Sequence, residues 1–166
     1  SVVTWGSEES GGDSSAVSDQ LSSGVTKIYS VSGGAEGAFA ALKNDGSVVT
    51  WGSDGAGGDS SEVAGDLSSG VTQIYSNHAG FVAIKSDGSA VAWISGHFEQ
   101  PDLSSGVSKL YPNGVAFAAL KNDGSVVTWG ESDAGGDSSD VSSDLSSGVT
   151  EIYSATGFEG VEGAYA

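Results

Sequence analysis

Two histidines, His78 and His97, are the first candidates for acid–base or metal chemistry in this 166-residue sequence. The chain is repetitive, so a histidine with a role in every repeat would recur at equivalent positions, and neither does. The strand–nucleophile–helix motif G-x-S-x-G, which marks one class of serine hydrolases, is missing too. We therefore expect no enzymatic activity and no catalytic residue.

Acidic, glycine-rich stretches offer a second kind of chemistry. Asp13, Asp59 and Asp137 each begin an Asp-Ser-Ser sequence a few residues after a Trp-Gly pair. Calcium prefers several oxygen ligands from flexible loops, so these aspartates are candidate calcium ligands. The alternative is that each aspartate caps the turn that follows it, while the other acidic side chains lie in solvent.

The charge of the chain restricts its partners. The formal net charge is −17, from 22 acidic residues against five basic ones. Such a charge repels phosphate backbones and anionic lipids, so we expect no nucleic-acid partner. No apolar run approaches the roughly 20 residues of a membrane-spanning helix, and we expect no membrane insertion. Without cysteine, the chain can form neither disulfides nor thiolate metal sites.

The candidate residues lie in a chain of nearly four repeats, approximately 1–46, 47–88, 89–124 and 125–166, which we interpret as a single repeat domain. One recurring phrase is S-V-V-T-W or S-A-V-A-W, and a second is L-S-S-G-V-x-x-(I/L)-Y. Their aromatic residues are structural anchors: Trp5, Trp51, Trp93, Trp129, Tyr29, Tyr75, Tyr111 and Tyr153. A third phrase, A-F-A-A-L-K-N-D-G at 38–46, is represented at 164–166 by its first three positions only. We therefore expect a processed product or a piece of a longer array.

Differences in length between the repeats fall at two places. The distance from tryptophan to the next tyrosine is 24 residues in three repeats but 18 between Trp93 and Tyr111. The segments before the third phrase also vary, and insertions of this kind are usually surface loops. The longer ones contain four candidate contact residues, Glu36, Phe158, Glu159 and Glu162. Tolerated surface variation is the alternative.

Each phrase has the composition of a β-strand, with β-branched and aromatic residues between Gly, Ser and Asn-Asp-Gly segments. Asp-Gly at 45–46, 87–88 and 123–124 lies between the third phrase and the tryptophan phrase, and predicts an antiparallel hairpin with a type I′ turn. The apolar spacing after Asp-Ser-Ser favours a short capped helical turn, with an irregular connection as the alternative. Pairs such as Ala40-Ala41 would let another sheet approach closely.

Repeats of about 40 residues with several short strands are typical of β-propellers or stacked β-solenoids. The stretches A-L-K-N-D-G-S-V-V-T-W-G at 41–52 and 119–130, with V-T-Q-I-Y-S at 71–76, resemble a short bacterial or marine variant of the regulator of chromosome condensation repeat. That resemblance implies one antiparallel blade per repeat. The family's histidine is replaced by Ala38, Gly80 and Ala116, so its nucleotide-exchange and chromatin functions are not implied here.

These observations predict an all-β fold of tandem three-to-four-stranded antiparallel blades of β-propeller type, with a stacked β-solenoid as the alternative. The predicted function is a structural and interaction module, extracellular or at the cell surface. We expect it to associate with itself or with neighbouring repeats of a longer chain. The alternative function is calcium or glycan binding through the acidic and extended loops.

Overall fold

The structure, a computed structural model, describes residues 1–33, 36–95, 99–156 and 163–166. These residues form β-strands, short 3-10 turns and a single four-residue α-helix, α1 (Ser18–Leu21). The strands are β1 (Val25–Gly33), β2 (Glu36–Lys43), β3 (Val48–Gly52), β4 (Val71–Asn77), β5 (Gly80–Lys85), β6 (Ala90–Ile94), β7 (Val107–Pro112), β8 (Ala116–Lys121), β9 (Val126–Gly130), β10 (Ser154–Thr156) and β11 (Gly163–Tyr165). The predicted all-β class is confirmed.

The described strands form four separate sheets, and each three-stranded sheet combines two strands of one sequence repeat with the first strand of the next repeat. Three of them have three strands in sequence order, β1-β2-β3, β4-β5-β6 and β7-β8-β9, and the fourth has only β10 and β11. The pairs β1–β2, β2–β3, β4–β5, β7–β8 and β8–β9 are antiparallel. The repeated β-structure predicted from the sequence is therefore present.

The predicted hairpins form, but their turns differ from the predicted type. Lys43 donates its backbone N–H to the carbonyl of Ser47 at 2.9 Å, so the loop contains three residues rather than the two of a type I′ turn. Gly46 has a positive φ of 78° in that loop. Asp45 Oδ1 accepts hydrogen bonds from the N–H and the hydroxyl of Ser47, at 3.0 and 2.7 Å, which stabilises the longer turn.

The Asp-Ser-Ser segments fold as short helical turns, as the sequence predicts. Ser15–Val17, Ser61–Val63 and Ser139–Val141 are 3-10 turns, and the first continues into α1. Leu21 and Leu67, the last apolar residues of two such segments, are buried. The segments therefore connect the strands and also contribute to the core.

The chain divides into two compact units: unit 1 comprises Ser1–Ser86 and Val91–Ser95, and unit 2 comprises Asp87–Ala90 and Gly96–Ala166. In unit 1, alternate residues of β2 enter two different cores. Ala38 and Ala40 pack with Ile74 and Phe81 of the next sheet. Ala41 lies in a second core, with Leu21 of α1. All three of these alanines are fully buried, consistent with the predicted close approach of sheets at Ala40-Ala41.

Unit 2 contains the sheet β7-β8-β9 and the sheet β10-β11. Ala118 and Leu120 of β8 form a core cluster with Val126 of β9 and with Ile152, which precedes β10. Tyr165 of β11 packs against this cluster and is only partly buried. The core of unit 2 is therefore built from the same repeat positions as the core of unit 1 that contains Ala40.

Candidate interaction site

Three of the four tryptophan anchors are buried cross-strand partners of an aromatic residue on the second strand. Trp51 stacks on Phe39, Trp93 on Phe81 and Trp129 on Phe117, with ring centroids 5.3, 5.4 and 5.4 Å apart. These tryptophans are 6%, 7% and 2% exposed, whereas Trp5, in the same sequence phrase, is 84% exposed. The same residue type is therefore a core anchor in three repeats and a surface residue in the first.

The indole N–H groups of two anchors bind a glycine-rich loop. Trp51 Nε1 donates to the Gly11 carbonyl at 3.1 Å and Trp93 Nε1 donates to the Gly57 carbonyl at 3.2 Å. Trp129 Nε1 is buried without a partner among the described residues. The loop after Trp93, part of which lies outside the described residues, is the shortened one and its sequence lacks the Gly-Gly pair.

The N-terminal segment, residues 1–6, makes the hydrogen bonds of a third strand, although no described strand pairs with it. Val2 donates its N–H to the Leu21 carbonyl at 3.1 Å, as Val126 does to Leu145 at 2.9 Å. The Thr4 and Ser14 hydroxyls are 2.8 Å apart, as are those of Thr128 and Ser138. Residues 1–6 are therefore held against the following loop by the same hydrogen bonds that hold β9 against its own.

An apolar surface lies beside this segment in the described structure. Val3 is 76% exposed and Ile28 is 43% exposed, whereas the equivalents of Ile28, which include Ile74 and Leu110, are 2% and 1% exposed. A shallow cavity of about 280 Å³ lies beside these side chains and includes the Trp5 ring in its wall. We name Val3, Trp5 and Ile28 the N-terminal apolar surface; exposed side chains of this size, close together, are typical of contact sites.

In unit 2, β11 has a described partner strand on one edge only. Ser154 of β10 lies opposite Tyr165 of β11. Next to this pair, Tyr153 and Ala166 exchange two backbone hydrogen bonds of 2.7 and 2.9 Å. Antiparallel hydrogen bonds alternate in direction along a strand, so the backbone N–H and carbonyl of Tyr165 point to the other edge. That edge is open for a third strand.

A mostly apolar cavity of about 290 Å³ lies beside this edge, and we name it the C-terminal cavity. Its wall includes Ala118, Val126, Val141, Leu145, Ile152 and Tyr165. The equivalent residues of unit 1, which include Ala40, Leu67 and Phe81, pack with Val91 and Trp93 of the third strand β6. The C-terminal cavity therefore lies where unit 1 has the side chains of a third strand.

Tyr165 takes the place of the phenylalanines in the other sheets. A Cβ atom added to Gly135 would lie 2.9 Å from the Tyr165 ring, and one added to Gly57 would lie 3.0 Å from Phe81. Burial raises the pKa of the Tyr165 hydroxyl above its usual range, and the nearby backbone of Asn113 offsets only part of that effect. The hydroxyl forms no hydrogen bond of good geometry with the described residues. The ring thus faces a glycine loop like that of unit 1.

The three candidate calcium ligands are used in turns. Asp13, Asp59 and Asp137 each accept the backbone N–H of the serine two residues later, at 2.8, 2.8 and 2.9 Å. These hydrogen bonds lower the pKa of each carboxyl group below its ordinary value of 3.8. The described residues bring no three His, Asp or Glu side chains together as a metal site. Calcium binding stays a prediction.

The remaining candidates are dispersed. Glu36 is exposed and accepts a hydrogen bond from the Ser53 hydroxyl at 2.8 Å. His78 is exposed, while the other histidine and the contact candidates Phe158, Glu159 and Glu162 lie outside the described residues. The four tyrosine anchors also differ, since Tyr29, Tyr75 and Tyr111 are half-buried and Tyr153 is 66% exposed.

Another cavity, of about 410 Å³, lies in unit 1 beside the candidate residue Asp59. Its wall includes Gln20, Lys43, Thr50, Asp59 and Ser60 and contains no aromatic side chain. Lys43 Nζ donates to the Gln20 carbonyl at 2.9 Å, so the cation already has a partner. Small-molecule sites are usually lined by apolar and aromatic groups, whereas this wall mixes polar side chains with small aliphatic ones and has no aromatic ring.

Comparison with known proteins adds no family assignment, since neither a protein-family model nor a curated protein matches the chain. Within the described part of the chain, no helix has the length and apolarity needed to cross a membrane.

Sequence reasoning missed Val3, Ile28 and Gly135 as candidate contact residues. The available signal was their place in the repeat: Val3 is equivalent to Val91, Ile28 to Ile74 and Gly135 to Gly57. A position that is buried in complete repeats becomes a candidate contact when its neighbouring strand is lacking. Composition alone carries no such information, because the residues themselves are ordinary core residues.

Proposed function

We propose that this chain is a non-catalytic structural and interaction module that associates with copies of itself or with neighbouring repeats of a longer chain. The observation that carries the proposal is the exposure of Val3, Trp5 and Ile28 at repeat positions that are buried or half-buried elsewhere. Covering such side chains stabilises an assembly by removing apolar surface from water. The C-terminal cavity, with its apolar wall, offers a second surface of the same character.

The proposed arrangement of the sheets is that of β-propeller-type blades. Two observations support it: each complete sheet has three antiparallel strands in sequence order, and in unit 1 successive sheets share one core through the alanines of β2. A stacked β-solenoid is the competing arrangement. Electron micrographs and a solution scattering curve distinguish them, because radial blades and a linear stack differ in cross-section.

A non-catalytic role is supported by how the polar residues are used. The aspartates of the Asp-Ser-Ser turns each bind one serine N–H, and His78 lies at the surface. Enzymes instead gather groups with perturbed pKa values in a cleft. Activity of the purified chain on a panel of ester, glycoside and phosphate substrates would contradict this part of the proposal.

We propose an extracellular or cell-surface location. The support is compositional. The chain has 27 glycines, only five basic residues and a net charge of −17. A large net charge keeps protein molecules apart and soluble. Protease treatment of intact source cells provides the test. Loss of the protein from intact cells or its presence in the medium is expected, whereas protection until lysis would contradict the location.

The test of self-association is the mass of the 166-residue chain in solution. Sedimentation equilibrium over roughly 1–200 μM should show a mass that rises with concentration above the 16.4 kDa of one chain. Electron micrographs of the same sample should show rings or filaments. A mass of one chain at every concentration would overturn the proposed self-association.

Calcium or glycan binding is the alternative function. Its sequence basis is the set of acidic loops, and its test is titration calorimetry with calcium together with a glycan array. Heat with a saturating stoichiometry, or a selective glycan signal, would support the alternative. The variant Asp13→Asn/Asp59→Asn/Asp137→Asn is the control, because asparagine keeps an oxygen for the turn but removes the charge that calcium prefers.

A further inference from the structure

We propose that a cavity of unit 1 binds one uncharged sugar residue of a glycan. The cavity is the one of about 410 Å³ beside Asp59, and we name it the β3 cavity because its wall includes Val48, Val49 and Thr50 of β3. Other parts of the wall come from α1 and from the segment between β3 and β4, so the whole cavity lies within unit 1. The inference rests on the alternative function, glycan binding, and gives it a site; it is independent of the proposed self-association.

The size of the β3 cavity and the aliphatic part of its wall suit one sugar ring. Small-molecule sites have volumes of roughly 300–1,000 Å³, and a volume of about 410 Å³ lies at the lower end of that range. Val48, Val49 and Leu67 give the wall aliphatic surface, and Val49 and Leu67 are buried. A sugar ring carries C–H groups on its faces and hydroxyls around its edge, so it can contact aliphatic and polar groups at once.

The hydroxyl groups of the wall are mainly acceptors for a ligand. Ser47 donates its hydroxyl to Asp45 Oδ1 at 2.7 Å, and Ser68 donates to a backbone carbonyl at 2.7 Å. The hydroxyls of Thr50 and Ser60 are 2.9 Å apart, so one of them donates to the other. These protons are used within the chain, while the hydroxyl oxygens keep lone pairs. A ligand that fits must therefore bring donors, and every sugar hydroxyl is a donor.

The charged and amide side chains of the wall complete the polar part of the site. The Asp59 carboxylate has about four lone-pair positions, of which Ser61 uses only part. Lys43 Nζ donates one of its three N–H groups to the Gln20 carbonyl, at 2.9 Å. The side-chain amide of Gln20 has no hydrogen bond within the described structure. The wall thus offers a carboxylate, an ammonium and an amide to the hydroxyls of one ligand.

The charges of the wall favour an uncharged ligand. An anionic ligand would be repelled by Asp59 and by the net charge of −17. A cationic ligand would have to lie beside the ammonium of Lys43. A neutral hydroxyl-rich ring meets neither difficulty, and a carboxylate forms a strong, charge-assisted hydrogen bond with a hydroxyl donor.

The position of the β3 cavity in the repeat predicts one site per chain. In the sequence, β3 lies between two complete Asp-Ser-Ser segments, 13–15 and 59–61. The segment between Trp93 and Leu103 contains no Asp-Ser-Ser. A cavity with the same two flanking segments is therefore not expected beside β6 or β9, and titration should give a stoichiometry of one.

Titration of the isotope-labelled 166-residue chain, followed by amide chemical shifts, tests the site. The probes are the methyl α-glycosides of glucose, mannose and galactose, each added to about 50 mM, well above the expected dissociation constant. At least one of them should shift the amide signals of Gln20, Lys43 and Asp59 and reach saturation. We expect a dissociation constant of roughly 1–10 mM, because the contacts are few and no aromatic ring stacks on the sugar.

Variants of two wall residues separate the cavity from the turn beside it. Gln20→Ala and Asp59→Asn should each raise the dissociation constant roughly fivefold or more, because each removes a partner of the sugar hydroxyls. Asparagine keeps an oxygen for the turn bond to Ser61. The matched control is Asp13→Asn, which changes the same turn bond of 2.8 Å at a residue outside the cavity wall. It should bind the sugar like the parent chain.

Three outcomes would overturn the inference. If no probe shifts the amide signals around the β3 cavity, the cavity is not a sugar site, and the proposed self-association is unaffected. If a glycan array gives a selective signal that survives Gln20→Ala and Asp59→Asn, glycan binding stands and its site lies elsewhere. If Asp13→Asn weakens binding as much as Asp59→Asn does, the loss comes from the net charge or the turns rather than from the wall of the cavity.

Discussion

Trp51 and Trp129 are equivalent residues whose environments differ by one hydrogen bond. Trp51 Nε1 binds the Gly11 carbonyl, while the buried Trp129 Nε1 has no described partner. We therefore expect Trp51→Phe to lower the free energy of unfolding by about 1–2 kcal/mol more than Trp129→Phe does. The reason is that the first change leaves a buried carbonyl unpaired, whereas the second removes an unpaired donor.

Urea denaturation followed by circular dichroism measures this difference. Both variants keep the stacked ring pair and remove the same atoms, so the loss of packing is matched between them. Equal losses for the two variants would show that the Gly11 hydrogen bond contributes nothing to stability.

The turn aspartates predict an acid-sensitive stability. The pKa values of Asp13, Asp59 and Asp137 are lowered in the folded chain by their serine N–H bonds. Their contribution to stability is therefore complete above the ordinary value of 3.8 and is lost as the pH falls through the lower, folded values. We expect the melting temperature of the parent chain to fall in this acidic range. The variant Asp13→Asn/Asp59→Asn/Asp137→Asn should lose less on acidification, because its turn bonds do not titrate.

A second triple variant controls for net charge. Glu8→Gln/Glu62→Gln/Asp133→Asn removes three charges from the same loops, at side chains with no hydrogen bond in the described structure. This control should keep the acid sensitivity of the parent chain. If both triple variants lose the same amount on acidification, the turn bonds are not the cause.

At the scale of the elements, β3 and β9 each end at a glycine with a positive φ, Gly52 and Gly130. Gly52, the last residue of β3, has a φ of +107°, and a Cβ there would lie 2.6 Å from the Gly37 carbonyl oxygen. Gly52→Ala should lower the free energy of unfolding by about 2 kcal/mol, through backbone strain and this clash. Gly65 has a helical φ of −61° and free space at its Cβ. Gly65→Ala, as the control, should be neutral or stabilising by about 0.5 kcal/mol in the same urea titration.

Most of the local architecture could be predicted from the sequence, because the strand phrases have clear composition and the Asp-Gly pairs lie between them. The turn type was wrong because the side chain of Asp45 binds Ser47 and favours a three-residue loop. A propensity rule for Asp-Gly pairs does not include that bond.

The environments of the anchors could not be predicted in the same way. Trp5 and Trp51 lie in identical phrases, yet Trp5 is exposed and Trp51 is buried. The second strand supplies Phe39 to Trp51, and no described strand supplies an aromatic partner to Trp5. Trp129 differs in its hydrogen bonding, since its indole N–H has no partner among the described residues. Identical local sequence therefore does not guarantee an identical environment.

At the scale of the whole molecule, assembly must overcome the repulsion of two chains that each carry a charge of −17. The proposed contact is itself apolar, so salt should screen the repulsion without weakening the contact. We expect the dissociation constant to fall by about tenfold or more between 20 and 500 mM sodium chloride, measured by sedimentation. Weaker assembly at high salt would indicate that ion pairs hold the copies together.

The hydrogen bonds that hold residues 1–6 in the frame of a third strand have a consequence for engineering. In the repeat, six residues separate the equivalents of Ala166 and Ser1, as at 41–46 between Ala40 and Ser47. A gene that joins two copies through Ala-Leu-Lys-Asn-Asp-Gly would therefore make residues 1–6 of the second copy the third strand of an ordinary hairpin with β11 of the first copy.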